Sequence, residues 1–422
     1  MLSVSQAEVI ILDLVQPLDE ERDGESVSLL TAIERILAAP VVSKLDFPHW
    51  DNSAMDGYAV RYEDVQNCST EQPTVLEIIE EIPAGRSPQG TVQPGQAARI
   101  MTGGVMPCGA DTVIMQEQTR REGDRVEILA APEPQAFVRH QASFYQAGTQ
   151  LLPPGILLQA AQLAVLAAAQ CTQLKVFRRP RVAIISTGNE LVKPDQMLQP
   201  GQIVDSNQYA LTALVAQTGA EPLQMGIVPD RPQALRKAIT QAIATSDVVL
   251  SSGGVSVGEY DYVEEIIESL GAEIHIRSVA VKPGKPLTVA KFPAAAATNH
   301  KSVLYFGLPG NPVSALVSFW RFVQPALKKL SGLAHSWGPV FVRARSRDDL
   351  YSDGKRETYL WGQLRLVDGY YEFHLAGGNH SSGNLINLAQ TNGLAVLSVG
   401  QTLIPAGEQV QVLKVGSPAI GV

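Results

Sequence analysis

Cysteine is scarce: the 422-residue chain has only Cys68, Cys108 and Cys171, with no CxxC pair and an odd total. That pattern excludes a disulfide framework and argues against a zinc site. A cationic excess is also missing. Lys+Arg 33 against Asp+Glu 42 leaves a formal net charge of -9, so no broad nucleic-acid surface is expected and any basic site is local. Long apolar runs are absent too. The richest stretch, 155–171, is interrupted by Gln159, Gln162 and Gln170, which leaves it too short and too polar to span a bilayer. The amino terminus has no basic segment, and Glu8 and Asp13 break its apolar positions, so it reads as an amphipathic helix and not a signal peptide. These absences point to the cytoplasm, with no membrane and no nucleic-acid partner.

What remains is globular: 45% apolar and 18% charged residues, in a chain long enough for three or four domains. The first forty residues read as two helices. Ser5 and Glu8 have capping-box spacing, and a second helical pattern runs over 28–39 up to Pro40. Short β-rich runs follow at 74–82, 96–101, 111–116 and 125–129, before helical texture returns over 154–171. The expected division is a discontinuous helical domain, 1–46 plus 145–179, around an inserted β-rich domain, 47–144. Residues 180–332 alternate strand and helix as a doubly wound parallel α/β domain demands, and 333–422 read as a C-terminal β-barrel-like domain. The fold class is multidomain α/β.

Three strand-to-helix loops of the α/β segment are rich in glycine and small polar residues: Ser186-Thr187-Gly188-Asn189-Glu190, Ser252-Gly253-Gly254-Val255-Ser256-Val257-Gly258, and Pro309-Gly310-Asn311-Pro312. In an open parallel sheet such loops share one edge, outside the strand carboxyl ends, where ligands bind. Glycine lets backbone amides approach a ligand, and helix amino termini favour anions. None matches a dinucleotide fingerprint or a P-loop. Lys282-Pro283-Gly284-Lys285-Pro286 adds two cations on a stiffened turn, suited to an oxyanion. Glu190, Asp230 and Asp261 are carboxylates near the same edge. Singly they serve as ordinary cap or turn residues; together with a phosphate they are hard oxygen ligands for Mg²⁺.

These loops resemble those of the molybdopterin molybdenumtransferase family, to which bacterial MoeA and the gephyrin E domain belong. The likeness extends over most of the chain. Asp51-Asn52-Ser53-Ala54-Met55-Asp56-Gly57-Tyr58-Ala59-Val60 resembles the signature at the entrance to the family's β domain, as does Arg99-Ile100-Met101-Thr102-Gly103-Gly104. Gly354-Lys355-Arg356-Glu357 and Ser381-Ser382-Gly383 resemble its carboxyl-terminal segments less specifically.

The resemblance implies that adenylyl-molybdopterin receives molybdate and AMP is released, with Mg²⁺ assisting. Glu190, Asp230 and Asp261 would surround phosphate and metal. Thr187, Gly188, Ser252, Gly253, Gly254, Ser256, Gly258, Pro309, Gly310, Asn311 and Pro312 would line the molybdopterin site, with Lys282 and Lys285 on anionic oxygen. A homodimer is implied, in which Asp56 and Thr102 reach the molybdate region in trans. Molybdopterin adenylyltransferase and molybdoenzyme apoproteins are the implied partners. One departure stands out: after Arg139, Ala142, Ser143 and Phe144 occupy the positions where the family has Gly, Glu and Asp. Losing two carboxylates weakens cation binding or transition-state positioning there. It leaves open a non-catalytic paralogue that stores or hands on cofactor.

Overall fold

The computed structural model describes residues 1–253, 262–294, 301–378 and 380–420. They fall into two compact units, one of 1–39, 154–159 and 173–422, the other of 40–153 and 160–172.

The first unit is organised by a six-stranded sheet. Its spatial order is Glu221–Val228, Arg181–Thr187, Val248–Ser252, Val303–Leu308, Pro286–Phe292, Glu273–Ser278. The first four strands are parallel; the last two pair antiparallel at one edge and were not legible as strands beforehand. The sheet is therefore mixed. The pleat explains why both faces are buried. Val182 and Ile184 join Leu211 and Val215 of the helix Asn207–Gln217 on one side. Ala183 and Ile185 pack with Leu235 and Ile239 of the helix Pro232–Thr245 on the other.

Two helical expectations are corrected. The amino-terminal helix Val4–Leu14 is capped by Ser3 with Gln6, not by Ser5 with Glu8. Residues 28–39 hold only a three-residue turn, Leu30–Ala32, because their backbone bonds outward: Leu37 N–H donates to Ile156 O and Ala38 N–H to Lys175 O. Tertiary pairing overrides local helical pattern there. The helical stretch from Pro312 to Leu330 is interrupted by a π segment, Phe319–Val323. Pro325 lacks the N–H that Arg321 O would receive, and its ring crowds that carbonyl, so the turn widens.

A seven-stranded sheet built mainly from 341–420 completes this unit, and its strand Glu357–Val367 pairs in parallel with Val281–Lys282. The second unit holds a six-stranded sheet ordered Thr112–Met115, Gly57–Val60, Gln96–Ile100, Thr74–Ile82, Arg125–Ile128, Thr119–Glu122. Its core includes Tyr58, Val60, Leu76, Ile114 and Val126. No helix among the described residues is long and apolar enough to cross a membrane.

A charge cluster anchors the amino-terminal segment of the first unit. Asp23, 2% exposed, accepts from Arg178 Nε at 2.9 Å and from the Lys301 ammonium, while Arg178 forks onto Asp247 with two bonds of 2.7 Å. Burial pushes the Asp23 carboxyl up, but Lys301, the Asp19 N–H and Arg178 together hold it below its ordinary value. Its stabilising contribution is therefore complete above the usual carboxylate range and is lost as pH falls through the lowered value. Asp23→Asn is expected to cost about 3 kcal/mol at neutral pH and to flatten the acid limb of the stability curve. Thermal unfolding of both proteins from neutral to acid pH checks this; parallel curves would show that Asp23 carries no such linkage.

Candidate functional site

Parallel register brings three strand ends to one level: Ser186 lies opposite Ser252, and Ser252 opposite Leu308. The loops leaving them enclose a cavity of about 740 Å³. Of the residues singled out in the sequence, Thr187, Gly188, Glu190, Asp230, Ser252 and Gly253 line it, as do Pro309, Gly310, Asn311 and Pro312. Gly254, Ser256, Gly258 and Asp261 lie outside the described residues.

The walls approach too closely for side chains. Gly253 has φ +91°, and a β-carbon there would sit 2.5 Å from Thr187 O. Its N–H donates to Leu308 O at 3.2 Å, which draws the second and third loops together. At Gly188 a β-carbon would meet the Glu190 carboxylate oxygens at 2.7 Å, so this carboxylate folds back over its own loop. Asp230 is set by a reciprocal pair: its Oδ2 accepts Asn189 N–H and Asn189 Oδ1 accepts Asp230 N–H, both at 3.2 Å.

Several lining residues escaped the sequence reading, Asn207 and Asp205 foremost among the polar ones. Asn207, at the start of its helix, donates through Nδ2 to Ser252 Oγ at 2.5 Å and to Gly310 O at 2.8 Å, tying two loops to a third element. Asp205, 3% exposed, also lines the cavity and accepts Gln208 N–H through Oδ1 at 3.1 Å. Its run Asp205-Ser206-Asn207 has the polar composition of a helix start, which is the only local signal. Gly383 and Leu385 reach the cavity from the C-terminal segment, where Ser382 O accepts Val313 N–H at 3.1 Å.

Neither Lys282 nor Lys285 lines this cavity, although Pro286 of their loop does. The loop packs on the helix Pro312–Ser318: a β-carbon at Gly284, φ +107°, would lie 2.8 Å from Ser318 Oγ. Among the described residues no three His, Cys, Asp or Glu side chains form a ready-made metal cage. Mg²⁺ does not need one, since it keeps several waters and takes one or two carboxylates plus ligand phosphate. Glu190 and Asp230 on a shared cavity fit that mode.

In the second unit Asp56 and Thr102 meet. Asp56 Oδ1 accepts both the Thr102 N–H, 2.6 Å, and its Oγ1–H, 2.7 Å. These bonds, the backbone one first, hold the carboxyl below its ordinary value. Gly57 is obligatory beside it, because a β-carbon would strike Ile114 O at 1.8 Å. The departing run belongs to the same unit. Ala142 keeps a left-handed backbone, φ +61°, where the family has glycine. Asp51 Oδ1 accepts Gln141 N–H at 2.6 Å, and Phe144, 63% exposed, has its ring 5.7 Å from that of Phe47. The loop thus turns through a left-handed Ala142 and a bond to Asp51, with no carboxylate at 143 or 144.

Residues 2–169 match the MoeA N-terminal region (domain I and II), 183–329 a probable molybdopterin binding domain, and 343–415 the MoeA C-terminal region (domain IV). The chain is 65% identical over 414 residues to a molybdopterin molybdenumtransferase of Nostoc sp. (strain PCC 7120), covering 98% of this chain and 94% of that one. It is 36% identical to a protein of the same name from Haemophilus influenzae, over 96% and 98% of the two chains. The crystal structure of a molybdopterin biosynthesis MoeA protein from Pyrococcus horikoshii OT3 superposes with a TM-score of 0.82 at 29% identity, over 98% of this chain and 100% of that one.

Two outcomes follow from this geometry. Gly253→Ala should destabilise the first unit by about 1–3 kcal/mol and weaken any cavity ligand more than tenfold, as read by thermal unfolding and calorimetric titration. Thr102→Val removes one of two donors and should raise the Asp56 pKa towards the ordinary carboxylate value. Carbon-detected NMR titration reads this directly; an unchanged midpoint would mean that the hydroxyl contact is not made in solution.

Proposed function

Because the chain belongs to the molybdopterin molybdenumtransferase family, we propose that it inserts molybdate into adenylylated molybdopterin and releases AMP in molybdenum cofactor biosynthesis. One observation carries the reading: three strand-end loops bearing the family's runs converge on one cavity, with Glu190 and Asp230 in its wall. With no β-carbon at Gly188, Gly253 or Gly310, phosphate oxygens can approach the loop backbone closely, although the Gly188 and Gly253 N–H groups themselves are taken by Val228 O and Leu308 O. Lys282 and Lys285 supply positive charge to anionic oxygen from the adjoining loop. Bound Mg²⁺ would neutralise charge developing on the pyrophosphate link as it is cleaved, held by Glu190 and Asp230 together with Asp261. Asp56, whose carboxylate Thr102 holds by two hydrogen bonds, serves the molybdate region.

In this proposal the functional species is a homodimer, with Asp56 and Thr102 contributed to the partner's cavity. Cytoplasmic location, supply by a molybdopterin adenylyltransferase and delivery to molybdoenzyme apoproteins belong to the same reading. So does the division into segments 1–46 plus 145–179, 47–144, 180–332 and 333–422. Antiparallel pairing of Gly24–Ser28 with Gln173–Phe177 supports a chain that departs, builds an insertion and returns. A cofactor-holding paralogue without turnover is not favoured, given the 65% identity to a protein named for the transfer.

Purified protein with adenylylated molybdopterin, Mg²⁺ and molybdate should release AMP, and omitting molybdate should suppress it. Tight binding without AMP release would overturn the transfer reading. Asp261→Ala should reduce turnover at least tenfold while binding changes little. Lys282→Ala should weaken binding several-fold at low salt, an effect that closes as salt screens the charge.

A further inference from the structure

The Lys282 ammonium does not stand free. Its Nζ lies 3.0 Å from Asp353 Oδ2, a carboxylate presented just ahead of the strand Glu357–Val367. Asp353 is itself held in place. Its Oδ1 accepts Lys355 N–H at 3.0 Å, and Ser352 Oγ accepts Gly354 N–H at 2.9 Å, closing a tight turn in which Gly354 has φ +67°. The Lys282 backbone is set from the same direction. Val281 and Lys282 pair with Glu357 and Thr358, Glu357 N–H donates to Ala280 O at 3.0 Å, and Arg356 Nη1 donates to Val281 O at 3.2 Å. Backbone bonds therefore preset both ends of the ion pair. Lys282 is the largest reason that the Asp353 carboxyl titrates below its ordinary range, with the Lys355 N–H next.

We propose that Asp353 is a positioning residue that parks the Lys282 ammonium between ligands and yields it to an anionic ligand oxygen. The inference rests on the assignment of Lys282 to the ligand's oxyanion made above. Exposure decides whether such an exchange is feasible. The two side chains are 44% and 36% exposed, which places the pair among the weak, water-screened ones. A buried pair of the same geometry would lock the lysine, because parting it would strand a charge. Lysine suits the exchange: its compact ammonium on a flexible stem has three rotating donors, so it can contact ligand oxygen before leaving the carboxylate.

The same geometry gives the carboxylate a second effect. A fixed negative charge beside the ammonium opposes any anion that approaches it. Asp353 therefore lowers affinity and recaptures Lys282 as the ligand departs, which speeds release. A purely structural clamp would act in the opposite sense, since losing it would let Lys282 wander and would weaken binding.

The test uses the full-length protein, Asp353→Asn, Asp353→Glu and Lys282→Met. Affinity and dissociation rate are measured for adenylylated molybdopterin and for AMP at low and high salt. Asparagine keeps the Oδ1 acceptor for Lys355 N–H, so the turn survives the substitution. Asp353→Asn is expected to bind adenylylated molybdopterin about three- to tenfold more tightly at low salt, with slower dissociation. High salt should close the difference. Asp353→Glu should behave like the wild type, and Asp353→Asn in the Lys282→Met background should change nothing. Equal or weaker binding by Asp353→Asn, with the wild type binding normally, overturns this inference alone. A wild type that binds no adenylylated molybdopterin overturns the proposed function and the inference together.

Discussion

Four parallel strands run in a register that places Ser186 opposite Ser252 and Ser252 opposite Leu308, and their following loops meet in a space that admits no β-carbon at Gly253. The contacts that join the second and third loops depend on that closeness. It is what lets the Asn207 amide reach both Ser252 Oγ and Gly310 O from a third element, and what brings Thr187 O against the Gly253 backbone. Such contacts are available only to loops without side-chain bulk, so a run of glycines at a strand end has a steric reason here as well as an electrostatic one.

Charge is arranged in separate places. Glu190, Asp205 and Asp230 stand in the cavity wall, whereas no Lys or Arg does among the described residues. The nearby cations sit on the Lys282–Lys285 loop, which packs against the helix Pro312–Ser318 and is paired to the C-terminal sheet. An anionic ligand in this cavity would therefore meet carboxylates in the wall and cations beside it. In the proposed function a hydrated divalent cation would reconcile the first with phosphate, and a movable ammonium would suit the second. The C-terminal segment thereby borders the cavity through Gly383 and Leu385 of the loop between its strands Tyr370–Leu375 and Gly393–Leu397, and it holds Lys282 through Asp353.

Some of this was legible in the chain and some was not. Central strands such as Arg181–Thr187 and Val248–Ser252 are short apolar runs bounded by polar turn residues, and their identity follows from burial on both faces. The antiparallel strands Glu273–Ser278, at the sheet edge, and Pro286–Phe292, next to it, carry mixed burial or begin on proline, so their pattern is weak. The run 28–39 is apolar at helical spacing yet spends its backbone bonds on residues 156 and 175, a choice that no local window contains. Likewise, the departure at Ala142, Ser143 and Phe144 is plain in the chain. That the loop nonetheless keeps a left-handed residue at 142 and a grip on Asp51 is visible only in three dimensions.

By itself the sequence determined the alternation of strand and helix, the three glycine-bearing loops, the acidic balance and the family, because these reside in local residue chemistry and its spacing. Tertiary structure alone decided that Asn207 and Asp205 belong to the cavity, that Lys282 is held by Asp353 71 positions away, and that Pro325 ends a regular helix in a π segment which buries Arg321 against Glu8 and Tyr359. The physical reason is the same in each case. A polar side chain's partner is chosen by which backbone passes within about 3 Å of it, and that neighbour is set by sheet register and helix packing, not by position along the chain.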